Sequence, residues 1–451
     1  MPPLPTDLRK TLENAIIAAR RAAEEAARAA LTTLAVTRSE PFATMDEPQR
    51  QLRRGLRAKA RQLGDDTKSD ALPLLTHEVA YQQWHRMLFA RFLAENHLLM
   101  HPTLRVPVSL AECAELAPEE GAADAWDLAA RYAGAMLPGI FPANDPTVQV
   151  VFAPEGRQKL EAILAGLPPA VFTADDGLGW VYQFWQTDKK KEVNASGRKI
   201  GGPDLAPVTQ LFTEDYMVRF LLENSLGAWW AARHPDSPLV REWRYLRWRE
   251  KGDGNAERGT LNAEFSDPSF SVQHSAFHIP AAGTFPGWPD RAAAITCMDP
   301  CGGSGHFVVA EFEMLRRMRM EEEGLDPAAA GDAVIRDNLF MLELDPRCTQ
   351  IATFSLALAA WRSGGYRPLP IPNIACSGIA VTGQLEDWLR LARGDERLRT
   401  ALERLHKLFA NAPTLGSLIN PADVPLAERM FSADYEEVAP LLGKALAKER
   451  D

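Results

Sequence analysis

Apolar positions recur at helical spacing through the first third of the chain. Residues Asp7 to Ala35 mix alanine with charge, and Leu8, Leu12, Ala15, Ile16 and Ala19 fall on one face, which predicts a long amphipathic helix with Thr6 or Asp7 as its N-cap. A break at Ser39 to Glu47 follows. Leu52, Leu56 and Leu63 then interleave with Arg50, Arg53, Arg54, Arg57, Lys59 and Arg61, a basic amphipathic helix. His77 to Leu99 carries Trp84, Met87, Leu88, Phe92 and Leu93 on one stripe. His85 and His97 beside it read as ordinary core or surface histidines. Turns at Pro102, Pro107, Pro138 and Pro142 separate shorter helices, so residues 1–170 read as all-helical. The aromatic run Gly179 to Trp185 reads as a core helix that ends in a basic loop, Lys189 to Lys191, with Arg198 and Lys199 after it. Stacking of those aromatics on nucleic-acid bases is the alternative.

Further on, Thr213 is placed to cap a helix bearing Met217, Val218, Phe220, Leu221 and Leu222. Trp229, Trp230, Trp243 and Trp248 follow among arginines, and residues 251–290 are loop-like in composition. The period then changes. Ala292 to Met298 reads as a buried strand, Val308 to Glu323 as a helix that Gly324 can end, and Ala328 to Arg336 as a short helix. Leu339 to Asp345 is a second strand, Arg347 to Arg362 a helix stopped by Gly364-Gly365, and Pro372 to Ser377 a third strand. The order β-α-(α)-β-α-β predicts a parallel sheet with helical crossovers. The fold class is therefore α/β in three parts: a helical domain over 1–170, a helical linker over 171–290, and a sheet-bearing core over 291–451.

Composition narrows the class. A chain of 451 residues suits two or three domains. Its apolar stretches are too short and interrupted to span a bilayer, and Met1 to Lys10 lacks the apolar core of a secretory signal. Five scattered cysteines point to reduced thiols in a cytoplasm. Cys297 and Cys301 lie close, but no second pair completes a zinc site, so no metal is expected. The net charge of −10 gives no overall sign of nucleic-acid binding. The basic helix and the lysine cluster could contact phosphates or be solvated faces, and charge pattern alone does not choose.

The richest chemistry lies in Asp299-Pro300-Cys301-Gly302-Gly303-Ser304-Gly305-His306-Phe307. A strand, an acid, a glycine-rich turn and a helix start are how an α/β sheet holds a nucleotide-like ligand at the carboxyl edge of its strands. Glycines let backbone approach the ligand, and the carboxylate accepts from a hydroxyl or ammonium. The dinucleotide pattern G-x-G-x-x-G with an acid about 20 residues on matches poorly. Asp299 and Glu343 both fall at strand ends. A ligand spanning them would set an amino or hydroxyl group near the first and a ribose near the second.

Asp299 to Phe307 resembles the D-P-A-C-G-S-G-H-F loop of amino-methylating DNA methyltransferases. Glu343 in Leu-Glu-Leu-Asp-Pro is similar to their second-strand acid. Thr209 to Thr213 resembles their upstream segment, and Asn373 to Ser377 stands where their third strand lies. Trp180 to Glu192, Leu226-Gly227 and Gly416-Ser417-Leu418 also resemble the large adenine-N6 methyltransferases of bacterial phage-defence systems, of the BREX and DISARM kind. The resemblance extends over nearly the whole chain. It implies a Rossmann-like methyltransferase domain and S-adenosyl-L-methionine as cofactor. It further implies that Phe212, Thr213, Asp299, Pro300, Gly303, Ser304, Gly305, Phe307, Glu343, Leu344 and Cys376 hold that cofactor. Double-stranded DNA would be the substrate, with no membrane partner. Two positions depart from the family pattern: Cys301-Gly302 replaces the usual Ala-Cys, and Cys376-Ser377 replaces an acid.

The family also uses Asn/Asp/Ser-Pro-Pro-aromatic to grip a flipped adenine. Asp267-Pro268-Ser269-Phe270 and Asn420-Pro421-Ala422-Asp423 do not match it, and no residue here is a convincing catalyst. The expectation is a cofactor-binding portion, inactive alone and completed by a C-terminal polypeptide or by other defence-system subunits. A non-catalytic S-adenosylmethionine-binding subunit, or a methyltransferase for protein or RNA, are the alternatives.

Overall fold

The computed structural model describes residues 4–69, 71–141, 144–197, 199–209, 211–250, 278–282, 287–378, 381, 383–423 and 432–448. Most of the stretch read as a loop over 251–290, the pair Asp267-Phe270 within it, and Arg198 lie outside these residues. The chain divides into two compact units. One comprises Met1–Gln210, Glu343–Pro346 and Cys376–Asp451; the other comprises Leu211–Leu342 and Arg347–Ala375.

The first unit is helical through its N-terminal part. Thr6–Thr33 buries Leu12, Ile16, Ala19, Ala23 and Ala27, and its small residues allow close approach. A Cβ on Gly156 would meet the Ala26 Cβ at 2.8 Å. Neither Thr6 nor Asp7 caps this helix. Pro5 holds the N-cap position with no side-chain bond, and the Leu4 N–H donates instead to Asp176 Oδ1 at 2.6 Å. The helix ends before Ala35, which takes a left-handed φ of 51°.

The basic helix, Glu47–Leu63, starts at an Asp46/Gln49 capping box and stops at a left-handed Gly64. Its arginines face inward more than the charge pattern suggests. Buried Arg53 donates to the carbonyls of Ala35, Arg38 and Ser39. Arg57 donates to those of Val36, Arg38 and Thr67. These guanidiniums satisfy carbonyls of the turn after the first helix and that of Thr67. Lys59 pairs with Asp145 at 3.1 Å.

Pro73–Glu95 buries Trp84, Met87, Leu88, Phe92 and Leu93, as its stripe requires. His85 is a core histidine, with Nε2 3.0 Å from the Tyr81 hydroxyl. Gly177–Trp185 is likewise core: Trp180, Tyr182, Phe184 and Trp185 are all buried, and Trp185 stacks on Trp84 at 6.3 Å. The lysine cluster is not a loop. It lies on the helix Thr187–Ser196, where Lys189 pairs with Glu192 at 2.8 Å. A separate small core gathers Trp388, Leu402, Leu405, Val438 and Leu442.

The second unit holds the α/β part. A short antiparallel pair, β1 (Trp248–Glu250) and β2 (His278–Pro280), precedes it. The main sheet has the order β3-β4-β5, with β3 at Cys297–Asp299, β4 at Leu339–Glu343 and β5 at Asn373–Cys376. β3 and β4 are parallel, pairing Cys297 with Leu339, Met298 with Phe340 and Asp299 with Met341. The stretch expected as one strand from Ala292 is shorter: Ala292–Ala294 forms a 3₁₀ turn. Buried Asn338 holds that turn, donating to the carbonyls of Ala292 and Ile295. His306–Glu323, Pro327–Asp337 and Pro346–Gly364 supply the crossovers. Val308, Phe312, Leu315 and Met318 pack with Leu339, Met341, Ala352, Trp229 and Trp230 in one core.

The helix Asp215–Leu222 starts at Glu214, so Thr213 is not its cap. Leu226-Gly227 is not a helix end either. Glu223–Gly227 is a π turn, and the helix runs on as Ala228–Arg233. A Cβ on Gly227 would meet the Trp243 ring at 3.2 Å. Of the apolar residues on the first segment only Val218 and Leu222 are buried, while Met217, Phe220 and Leu221 are exposed. No described helix is long and apolar enough to cross a membrane.

Candidate functional site

In the second unit, Asp299 is the last residue of β3 and its carboxylate turns onto the loop that follows. Oδ1 accepts the Cys301 N–H at 3.0 Å. Burial raises the Asp299 carboxyl above the usual range, and that N–H opposes the shift. Pro300 and Cys301 are exposed. The Gly302 N–H donates to Leu342 O at 3.1 Å, tying the turn to the neighbouring strand, and the Gly305 N–H donates to Gly302 O at 2.8 Å.

Three glycines of the turn are needed for conformation or space, Gly302 because a Cβ there would lie 2.5 Å from Met341 Cγ. Gly303 and Gly305 have φ of 54° and 79°, the left-handed region in which a side chain is strained. A Cβ at Gly305 would also lie 2.7 Å from the Ala352 Cβ. Packing so close brings the first turn of His306–Glu323 onto the helix Pro346–Gly364. Ser304 is buried, and the Ser355 hydroxyl donates to its carbonyl at 3.4 Å. Phe307 packs against the core. Phe212 reaches the loop, with its ring 4.4 Å from that of His306. Thr213 lies next to it in sequence without capping.

Sequence reasoning missed Glu311. It lies on the glycine-loop helix among apolar neighbours, and Oε2 is buried with no hydrogen-bond partner. It lines a cavity of about 500 Å³ with Leu222, Leu226, Trp288, Ile295 and Cys297 among others. Burial, then the nearby Asp299, pushes its carboxyl up to about 8. Burial and then Glu311 push the Cys297 thiol up to about 12. An acid on an otherwise apolar stripe was the available sequence signal.

In the first unit, Glu343 closes its strand and turns back on the chain. Its Oε1 accepts the N–H groups of Leu344 and Asp345 at 2.7 and 3.0 Å. Its carbonyl accepts the Ser377 N–H at 2.7 Å. Leu344 and Cys376 come together, with the thiol donating to Leu344 O at 3.4 Å. A Cβ at Gly378 would overlap Leu344 O at 1.9 Å, and one at Gly416 would meet the Leu344 side chain at 2.9 Å. Gly378 and Gly416 therefore leave room for Leu344. Asn420-Pro421-Ala422-Asp423 makes a turn in which the Asn420 side chain accepts the Ala422 N–H, and Arg404 donates to the carbonyls of Pro421 and Asp423.

Among the described residues no group of three or more His, Cys, Asp or Glu could hold a metal. The glycine turn suits a different guest. It has two left-handed glycines, a half-buried carboxylate at its start and a helix N-terminus at its end, the features that admit a polar, nucleotide-like ligand against backbone.

No protein-family model matches the chain. It is 27% identical over 338 residues to the adenine-specific methyltransferase PglX of Lacticaseibacillus casei (strain Zhang), covering 64% of this chain and 26% of that protein. It is 27% identical over 311 residues to the adenine-specific methyltransferase BrxX of Escherichia coli O9:H4 (strain HS), covering 63% of this chain and 24% of that protein. The chain spans about a quarter of the length of these curated relatives. Over 63–64% of its length the chain is similar to adenine-specific methyltransferases of the PglX and BrxX kind.

Proposed function

We propose that this chain is the cofactor-binding portion of an S-adenosyl-L-methionine-dependent adenine-N6 DNA methyltransferase of a bacterial anti-phage system. Residues 291–451 would form its methyltransferase core. The observation that carries the reading is the turn Asp299 to His306. Its carboxylate, left-handed glycines and helix start fit a nucleotide-like ligand, in a chain similar to adenine-specific methyltransferases.

The residues would divide the work as follows. Asp299 accepts from the amino group of the methionine end. Gly303, Ser304 and Gly305 admit that end against backbone, and Phe212 and Phe307 cover it. Glu343 accepts from the ribose hydroxyls while its Oε1 keeps the N–H groups of Leu344 and Asp345. Leu344 and Cys376 flank the adenine. When bound, the cofactor supplies the sulfonium methyl group for transfer to an amine nitrogen. Methyl transfer would be driven mainly by positioning. Glu311 is held neutral near pH 7 and would leave the local charge to Asp299.

Hydrogen exchange tests the reading. Adding S-adenosylmethionine should slow the amides of 301–306 and 343–345 together. Unchanged exchange in both segments at saturating ligand would reject it.

A second reading is a subunit that binds the cofactor without chemistry of its own. It draws on the same glycine turn and asks for no adenine-gripping group. Tritium transfer from labelled cofactor to duplex DNA separates the two, since only the first permits transfer, once the chain is supplied with a polypeptide carrying an Asn/Asp/Ser-Pro-Pro-aromatic run.

A further inference from the structure

Glu343 does not set its own direction. Its carboxylate lies over the turn Glu343 to Asp345 because Oε1 accepts two N–H groups of that turn. Whatever fixes the turn therefore fixes the carboxylate. On one side the turn is held by backbone, through the Ser377 N–H on Glu343 O and by the close approach of Gly378 and Gly416 to Leu344. On the other side it is held by a side chain from far away in sequence. The Asp345 carboxylate is 3% exposed, and its Oδ2 accepts the hydroxyl of Tyr182.

Tyr182 is itself immobile. Its side chain is fully buried, its hydroxyl accepts the Gln186 Nε2–H at 2.6 Å, and its ring meets Tyr81 edge-on at 6.2 Å. A buried hydroxyl donating to a buried carboxylate is a charge-assisted bond in a low-dielectric setting, strong and directional. The whole arrangement lies within the first unit.

We propose that Tyr182 is a positioning residue for the ribose-holding turn. It acts through Asp345 on the direction of the Glu343 carboxylate, and Asp345 is an anchor of that turn, not a ligand contact. This gives the aromatic helix Gly177–Trp185 a part in cofactor binding although none of its residues need touch the cofactor. The inference rests on the reading proposed above, that Glu343 binds the ribose.

The test uses the full chain and two probes, S-adenosylhomocysteine and its 2′,3′-dideoxy analogue, titrated calorimetrically. Tyr182→Phe keeps the ring and removes the hydroxyl. It should weaken S-adenosylhomocysteine by about tenfold, the scale of one lost charge-assisted hydrogen bond. It should leave the dideoxy analogue within about twofold of the parent protein, because that probe does not use Glu343. Asp345→Asn, which still accepts the hydroxyl, should retain most of the affinity. In Glu343→Ala the further change Tyr182→Phe should add no loss. Equal weakening of both probes by Tyr182→Phe would mean a general structural role and overturn the inference, as would no weakening of either. If the parent protein binds neither probe, or Asp299→Ala binds as well as the parent, the underlying cofactor reading fails instead, and this inference with it.

Discussion

Asp299 adds to burial in raising the neighbouring Glu311 carboxyl in the second unit. Burial, then Asp299, holds the Glu311 carboxyl up to about 8, and burial raises Asp299 as well. The linkage sign follows directly. A carboxyl whose folded value lies above its unfolded value of 4.5 binds its proton more tightly in the native state. Its stabilising effect is fully present below pH 4.5 and is lost as pH rises towards 8. Asp299 acts in the same direction. Glu311→Gln should flatten this fall and stabilise the protein at pH 8 by roughly 2 kcal/mol, given about 1.4 kcal/mol for each unit of pKa difference as an upper scale. Urea unfolding at pH 5 and pH 8 measures it. Parallel pH dependences in parent and variant would contradict the assignment.

Gly305→Ala should be among the most damaging single changes in the second unit. It forces a side chain into a φ of 79° and sets a Cβ 2.7 Å from that of Ala352. Left-handed strain and overpacking together suggest roughly 3 kcal/mol of destabilisation. Chemical denaturation checks this, and a variant within about 0.5 kcal/mol of the parent would contradict the packing described, since that is the scatter of neutral surface changes.

Arg53→Ala should act on stability and not on nucleic acid. It removes donors from the carbonyls of Ala35, Arg38 and Ser39, and a loss of about 2 kcal/mol is expected for buried carbonyls left unpaired. Affinity for duplex DNA at fixed salt, measured by fluorescence anisotropy on the folded variant, should match the parent. A drop in affinity together with a smaller salt slope would restore the phosphate-contact reading.

The comparison of sequence with structure follows the range over which each feature is encoded. The glycine turn and the helix after it were legible because adjacent residues make them, as were the core stripe around Trp84 and the burial of Gly177–Trp185. Helix starts were less so. Thr6 and Thr213 have the right chemistry for caps, yet Pro5 and Glu214 hold those positions, because chain geometry at the junction decides which residue leaves the helix. On the arginine-rich helix the charge pattern leaves phosphate contact and a solvated face open, because it does not reveal that Arg53 donates to the carbonyls of Ala35, Arg38 and Ser39. Ala292–Ala294 reads as strand by composition but is drawn into a 3₁₀ turn by Asn338. Glu311 was visible only as an acid in an apolar stripe. The Tyr182–Asp345 bond joins residues 163 apart in the chain, and nothing local announces it.

The central claim is that the chain binds S-adenosylmethionine, and calorimetric titration of the purified chain tests it most directly. Saturable binding, weakened at least about tenfold by Asp299→Ala and by Glu343→Ala in variants that unfold like the parent, is the predicted result, on the scale of one lost charge-assisted hydrogen bond each. Equal affinity in both variants, or no binding by the parent protein, would contradict this reading.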